Sequence, residues 1–318
     1  MSKILIIGAS GQIGSELTVK LRKLHGKDNV IASDISYENS ALVNSGIFEI
    51  VDAQDQSSVR ACVDKHQIDT IYLLAAMLSA TGEKYPMKAW DLNMDSLFHV
   101  LNLAKENIIK KIFWPSSIAV FGPTTPKILT PQHASMEPST VYGMTKQSGE
   151  RWCDYYHNNY DVDVRSLRFP GIVSWKTMPG GGTTDYAVEI YHQAVLDNTY
   201  ECFLSEDTEL PMMYMDDAID AMVALMDAPS ESIKIRSSYN LAAISFTPKQ
   251  VSEAIQKHRP DFKISYRPDF RQKIADSWPK SIDDVDARTD WNWSHKFDLS
   301  KMTQVMLENL EQKYADSK

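Results

Sequence analysis

The chain has 318 residues, 43% hydrophobic and 24% charged, with 33 Lys+Arg against 42 Asp+Glu for a formal net charge of -9. This is ordinary globular composition, which excludes a disordered or fibrous chain, and the length suits one large α/β body or two joined lobes. The acidic balance argues against nucleic-acid and anionic-membrane partners, and the longest apolar run, Ile71 to Leu78, is far short of the roughly 20 residues that span a bilayer.

The first strand is expected at 3–7, with no leader pattern ahead of it, so a cytoplasmic protein is expected. Gly8-Ala9-Ser10-Gly11-Gln12-Ile13-Gly14 follows at once and opens a helix over 13–24. Glycines there permit a tight turn and let backbone N–H groups reach a pyrophosphate at the helix N-terminus. Gly8, Ser10, Gly11, Gln12, Ile13 and Gly14 are the candidates for that role, although the triplet alone would also shape a plain strand–helix turn. The second strand, 30–33, ends at Asp34-Ile35, about 20 residues past the glycines, where a carboxylate bonds the adenosine ribose hydroxyls. A carboxylate also repels a 2′-phosphate, so NAD is favoured over NADP; Asp34 could otherwise cap its own turn.

A third strand at 48–51 leads to Asp52-Ala53, both cofactor candidates, where Asp52 is placed either for the adenine amino group or as a helix or turn cap ahead of a helix over 57–65. The fourth, 70–75, ends in Leu74-Ala75-Ala76, small enough to let a cofactor lie over the sheet edge or simply to pack. A long helix is expected over 86–106 and a fifth strand over 111–116, with Ser117 just beyond it at the carboxyl end, where open α/β sheets bind ligands. In the next helix, 139–159, Tyr142 and Lys146 are four apart and project from one face. An ammonium beside a phenol stabilises the phenolate, which makes a tyrosine a usable base.

A sixth strand at 164–169 completes the alternation of apolar runs and helices that marks a parallel sheet covered on both faces. Beyond about residue 170 the elements shorten. The Met178-Pro179-Gly180-Gly181-Gly182 segment is either a cleft-facing loop or a linker, and helices are expected near 185–196, 217–226, 247–257 and 299–313. The expected fold class is α/β, a Rossmann-type doubly wound parallel sheet with a smaller C-terminal α/β lobe. The expected division is 1–172 for the cofactor and catalytic residues and 173–318 mainly for substrate, with some segments returning to the sheet. Cys62, Cys153 and Cys202 are too sparse for a disulfide framework or a zinc site, and the scattered histidines, among them His66, His99, His157 and His192, form no metal-ligand cluster.

Gly8, Gly11, Gly14, Ser117, Tyr142 and Lys146, in that order, resemble the extended short-chain dehydrogenase/reductase family over nearly the whole chain. The resemblance implies that Ser117 positions a substrate hydroxyl and Tyr142 is the general base, with Lys146 holding the nicotinamide ribose and depressing the tyrosine pKa. It also implies cofactor contacts for Asn93, Pro170 and Ile172. Ser117 matches the family serine better than Ser116, counting back from Val120-Phe121-Gly122. Many members act on sugar nucleotides and carry an arginine for the diphosphate where this chain has Leu210, a departure that argues against such a substrate.

Leu78-Ser79-Ala80-Thr81-Gly82-Glu83, Phe169-Pro170-Gly171-Ile172 and Pro179-Gly180-Gly181-Gly182-Thr183-Thr184-Asp185-Tyr186 are similar to the short-chain-type L-threonine 3-dehydrogenases within that family. This implies metal-independent oxidation of L-threonine by NAD. Ser79, Ser117, Tyr142, Gly182 and Thr184 would meet the substrate, and the Gly-rich loop could close as a lid. The family also implies a homodimer through the helices 86–106 and 139–159, where Trp152, Tyr155 and Tyr156 either anchor an interface or pack inward. A sugar-nucleotide epimerase or dehydratase and a nonenzymatic NAD sensor are the alternatives.

Overall fold

Ile4 and Ile6 alternate with Leu5 and Ile7 between two different apolar cores, as a strand buried on both faces requires. The computed structural model describes residues 2–37, 40–178 and 180–316. In chain order its elements begin with β1 (Ile4–Ile7), α1 (Gln12–His25), β2 (Val30–Asp34), α2 (Ser40–Asn44), β3 (Phe48–Ile50) and α3 (Gln56–His66). There follow β4 (Thr70–Leu73), α4 (Ser79–Lys84), α5 (Pro86–Lys105), β5 (Lys111–Ser117), α6 (Val141–Tyr160) and β6 (Asp163–Phe169). The later part holds β7 (Gly171–Val173), α7 (Tyr186–Leu196), β8 (Thr199–Cys202), β9 (Leu210–Tyr214), α8 (Met215–Asp227) and β10 (Tyr239–Asn240). It ends with β11 (Ile244–Phe246), α9 (Pro248–Gln256), β12 (Lys263–Tyr266), α10 (Phe270–Ser277), α11 (Val285–Trp291) and α12 (Leu299–Ala315).

Seven strands form one parallel sheet in the order β10-β6-β5-β4-β1-β2-β3. The strand order reverses beside β1, between β2 and β4, so a crevice opens at the carboxyl ends of these strands. One face of the sheet packs α1, α8 and α11 around Leu17, Leu21, Met222 and Trp291; the other packs α3, α5 and α6 around Val63, Leu97, Leu101 and Cys153. A third core gathers Tyr186, Tyr191, Phe203, Met302, Met306 and Leu310 under the two small sheets β11-β9-β7 and β12-β8.

The six expected strands and the expected helices are present, with shifted ends. β4 stops at Leu73 instead of 75, because the Leu74 and Ala75 N–H groups both donate to the Ile7 carbonyl and draw the chain onto β1. Thr140 Oγ1 accepts from Gly143 N–H and caps α6, which puts Tyr142 in the first turn of its helix. The three cysteines are buried and free. Among the described residues no helix is long and apolar enough to cross a membrane, and no group of His, Cys, Asp or Glu is arranged to hold a metal.

Candidate active site

Gly8 adopts φ +89, a conformation that favours glycine, and a Cβ there would lie 2.6 Å from Ala75 N. At Gly14 a Cβ would lie 2.2 Å from the Gly8 carbonyl oxygen, so the helix can press against the turn only without a side chain. Gly11 caps α1 with no side-chain hydrogen bond, leaving the first N–H groups free of a side-chain acceptor. Asp34 accepts from Ser10 N–H at 2.9 Å through Oδ2 and from Ile35 N–H at 2.8 Å through Oδ1, which ties β2 to the glycine turn.

Gly8, Ser10, Gly11, Asp34, Ile35, Asp52, Ala53, Leu74, Ala75 and Ala76 line one end of the crevice. Asp52 lines the crevice and accepts from Gln54 N–H at 2.9 Å, so it holds its own turn, while the cap of α3 is Asp55, which accepts from Ser57 N–H. Two buried polar atoms, Ser10 Oγ and Gln12 Nε2, have no protein partner. Orphaned donors beside an uncapped helix N-terminus and a glycine turn fit a dinucleotide pyrophosphate.

At the other end, Gln12, Ile13, Leu74, Ala76, Ser79, Ser117, Tyr142, Lys146, Pro170, Ile172, Gly182 and Thr184 line a continuation of the same crevice. Ser117 and Tyr142 share a hydrogen bond, and Ser117 Oγ also accepts from Ala119 N–H at 3.2 Å. Ser116 turns the other way and donates to Glu150 at 2.6 Å in the core, so Ser117 is the serine that meets Tyr142. Lys146 Nζ donates to the Pro115 carbonyl at 2.5 Å and lies 5.5 Å from the Tyr142 ring centroid.

The spacing of Tyr142 and Lys146 predicts a phenol lowered by this ammonium, and the structure differs. Burial pushes Tyr142 up to about 12, partly offset by the Ser117 hydrogen bond, and pushes Lys146 down to about 7. Desolvation penalises both charged forms, and the ammonium is turned toward Pro115 instead of the phenolic oxygen.

The Gly-rich segment faces the cleft through residues 182–184; Pro179 lies outside the described residues. Asp185, at the N-terminus of α7, accepts through Oδ2 from Gly181 N–H at 2.9 Å and Gly182 N–H at 2.6 Å. The Gly181 carbonyl in turn accepts from Ala80 N–H on α4. Burial pushes the Asp185 carboxyl up to about 6 in spite of its two amide donors.

Two expected residues do not line the crevice. Gly14 acts behind it, through helix packing. Asn93 is buried, with its amide spent on the Met77 backbone and on Thr145 Oγ1, so it ties the β4–α4 connection to α6. Leu210 is likewise buried, in β9, so the case about diphosphate binding rests on the cleft wall itself. Among the described residues that line the Ser117 end, Lys146 is the only lysine or arginine.

Among the wall residues that sequence reasoning missed are Thr183, whose buried Oγ1 has no partner, Asp185 and Trp278. Thr183 and Asp185 stand inside a stretch that the resemblance had marked. Trp278 follows α10 and reaches the cleft only through the tertiary fold, with no local signal.

The model of the NAD dependent epimerase/dehydratase family matches residues 4–242. An uncharacterized epimerase/dehydratase of Staphylococcus saprophyticus is 50% identical over 316 residues, covering 98% of each chain. Among solved structures, a partial consensus L-threonine 3-dehydrogenase superposes with a TM-score of 0.96 at 55% identity, covering 98% of this chain and 99% of that one. The holo form of a GalE-like L-threonine dehydrogenase from Cupriavidus necator gives a TM-score of 0.95 at 54% identity, covering 97% of this chain and 99% of that one. With the glycine turn, the strand-end serine and the Tyr142–Lys146 helix assembled on one crevice, the chain belongs to the NAD-dependent epimerase/dehydratase family, and NAD is its cofactor.

Proposed function

We propose that this enzyme is an NAD-dependent L-threonine 3-dehydrogenase, which oxidises the β-hydroxyl of threonine to give 2-amino-3-oxobutanoate. The observation that carries the reading is a cleft that combines the Ser117–Tyr142 hydroxyl pair with a buried carboxylate, Asp185, and no arginine among its described lining residues. A carboxylate suits an amino acid's ammonium, whereas a nucleoside diphosphate needs cationic donors. Similarity over nearly the full chain to proteins named as L-threonine dehydrogenases supports the same reading.

Residues 8–14 with Asp34 would hold the dinucleotide, and Lys146 its nicotinamide ribose. When bound, NAD supplies the acceptor for the hydrogen and electron pair that leave the β-carbon. Ser117 holds the substrate hydroxyl, and Tyr142 takes its proton as the carbon–oxygen double bond forms. The tyrosine does so as the phenolate, the form that the Lys146 ammonium would favour on turning from the Pro115 carbonyl toward the phenol. Asp185 has both amide contacts on Oδ2, which leaves Oδ1 for the ammonium. Thr183 Oγ1 and Ser79 are the hydroxyls available to the carboxylate group, with Gly182 and Thr184 closing the wall. In this division of labour residues 1–172 serve the cofactor and the proton transfer, and 173–318 mainly enclose the substrate. The reaction is proposed to need no metal, and the enzyme to work as a cytoplasmic homodimer.

NADH absorbance followed with L-threonine and L-serine, and chromatographic analysis of the products from a nucleotide sugar, test the assignment, since an epimerase or dehydratase returns its hydride and accumulates no NADH. L-threonine is expected to turn over, equally well in chelator. Tyr142→Phe is expected to lower kcat by about 100-fold or more while NAD still binds. Turnover of the nucleotide sugar alone would establish the epimerase alternative, and NAD binding with no turnover of any substrate would establish the sensor.

A further inference from the structure

Helix α6 grips the end of β5 at three successive places. Tyr142 meets Ser117, Lys146 donates to the Pro115 carbonyl one turn later, and Glu150 Oε1 accepts from Ser116 Oγ at 2.6 Å after one turn more. The four-residue spacing sets the three side chains along one stripe of the helix. The third contact is unused in the mechanism above and is the most deeply buried, with Glu150 at 0% and Ser116 at 2% exposure. Arg168 of β6 pairs with the same carboxylate through two hydrogen bonds, Nε to Oε1 at 2.8 Å and Nη2 to Oε2 at 2.7 Å. Its Nη1 is anchored on the Gln132 carbonyl and Asn240 Oδ1. A buried ion pair is weak evidence for stability, because apolar residues of the same shape serve as well, so a pair directly beneath the catalytic residues calls for another use.

The groups facing Lys146 give that use. Burial disfavours its ammonium, while Cys153 and Glu150 on its own helix favour it. β5 offers the Trp114 ring at 4.4 Å and the Pro115 carbonyl; β6 offers Arg168, already neutralised by Glu150. α5 packs Leu97 and Asn93 against α6, and Glu83 of α4 accepts from Val141 N–H at the start of the helix.

We propose that Glu150 is a positioning residue for the reaction: paired with Arg168, it fixes Ser116, and with it the strand end that presents Ser117 to Tyr142 and the Pro115 carbonyl to Lys146. This rests on the assignment of Ser117, Tyr142 and Lys146 as the catalytic group. The full-length protein is titrated with NAD by tryptophan fluorescence from about pH 6 to about pH 10, and threonine turnover is followed over the same range. In Glu150→Gln the alkaline loss of NAD affinity and of kcat is expected about one pH unit lower than in the wild type. Glu150→Asp, which keeps the charge, is expected within about 0.3 unit of the wild type. If Glu150→Gln does not fold, Glu150→Gln/Arg168→Met carries the comparison, since it leaves no unpaired buried charge, and a shift in the same direction is expected. A folded Glu150→Gln or double variant with the wild-type profile, or Glu150→Asp moving as far as Glu150→Gln, overturns the proposal. A wild type that binds NAD and leaves threonine untouched would defeat the functional reading alone, because the NAD profile still tests Glu150.

Discussion

Asp185 carries two duties on two oxygens. Oδ2 holds the Gly181 and Gly182 amides, and the other oxygen is proposed for the substrate ammonium. Its carboxyl is pushed up to about 6 by burial, so it loses its charge near neutrality and not in the ordinary carboxylate range. The sign follows directly: below that pH the neutral acid attracts an ammonium far less. KM for threonine is therefore expected to rise roughly tenfold per pH unit as pH falls below about 6, with NAD affinity unaffected. Asp185→Asn should have a high KM that no longer follows pH, and a variant whose KM kept the wild-type pH dependence would refute the role.

Ser117, Tyr142 and Lys146 were legible in the sequence because a strand end and an i, i+4 spacing are local. Asp185 was not, because a carboxylate acquires its chemistry from the burial around it. The same burial reversed the expected direction at Tyr142, and no spacing argument contains that information.

Among elements, the turn between β1 and α1 separates two kinds of glycine. A Cβ on Gly11 would come no nearer than 3.4 Å to the protein, against 2.2 Å on Gly14. Gly11→Ala is expected to melt like the wild type while weakening NAD binding, because the added methyl takes space at the phosphates. Gly14→Ala is expected to lose about 1–3 kcal/mol of stability, since the helix must move off the turn. Thermal melting and NAD titration of the two variants separate the cases, and equal melting losses would contradict the geometry. Long elements with a clear period were legible. α4 and the short strands β7 to β12 were not, for two to six residues carry no clear period, and the pairing of such strands is decided by distant partners. β4 shows the same limit at an end: its apolar run continues past Leu73, but the chain bends to serve the Ile7 carbonyl.

For the molecule as a whole, α5 and α6 leave Met87, Trp90, Met144, Trp152 and Tyr155 exposed. The Trp152 ring packs edge-on against Phe98 of α5, 5.0 Å between centroids, which joins the outer surfaces of the two helices. Trp152 thus partly packs inward and partly remains available, and the proposed homodimer would cover this apolar surface. Trp152→Glu with Tyr155→Lys is expected to sediment as a monomer where the wild type sediments as a dimer; an unchanged dimer would move the interface elsewhere.

The return of β10 to the main sheet bears on how such a protein can diversify. Tyr239 and Asn240, from the later part of the chain, pair with Leu167 and Arg168 on the outer side of β6. Asn240 also receives Arg168 on its side-chain oxygen. The part of the chain proposed to enclose the substrate is therefore no detachable cassette. A replacement of different specificity would have to bring its own strand to that edge and its own acceptor for the guanidinium, or leave unpaired amides and a loosened ion pair under α6. New substrates are more readily reached by changing side chains on the 182–185 wall and at Trp278 than by exchanging the half that carries them.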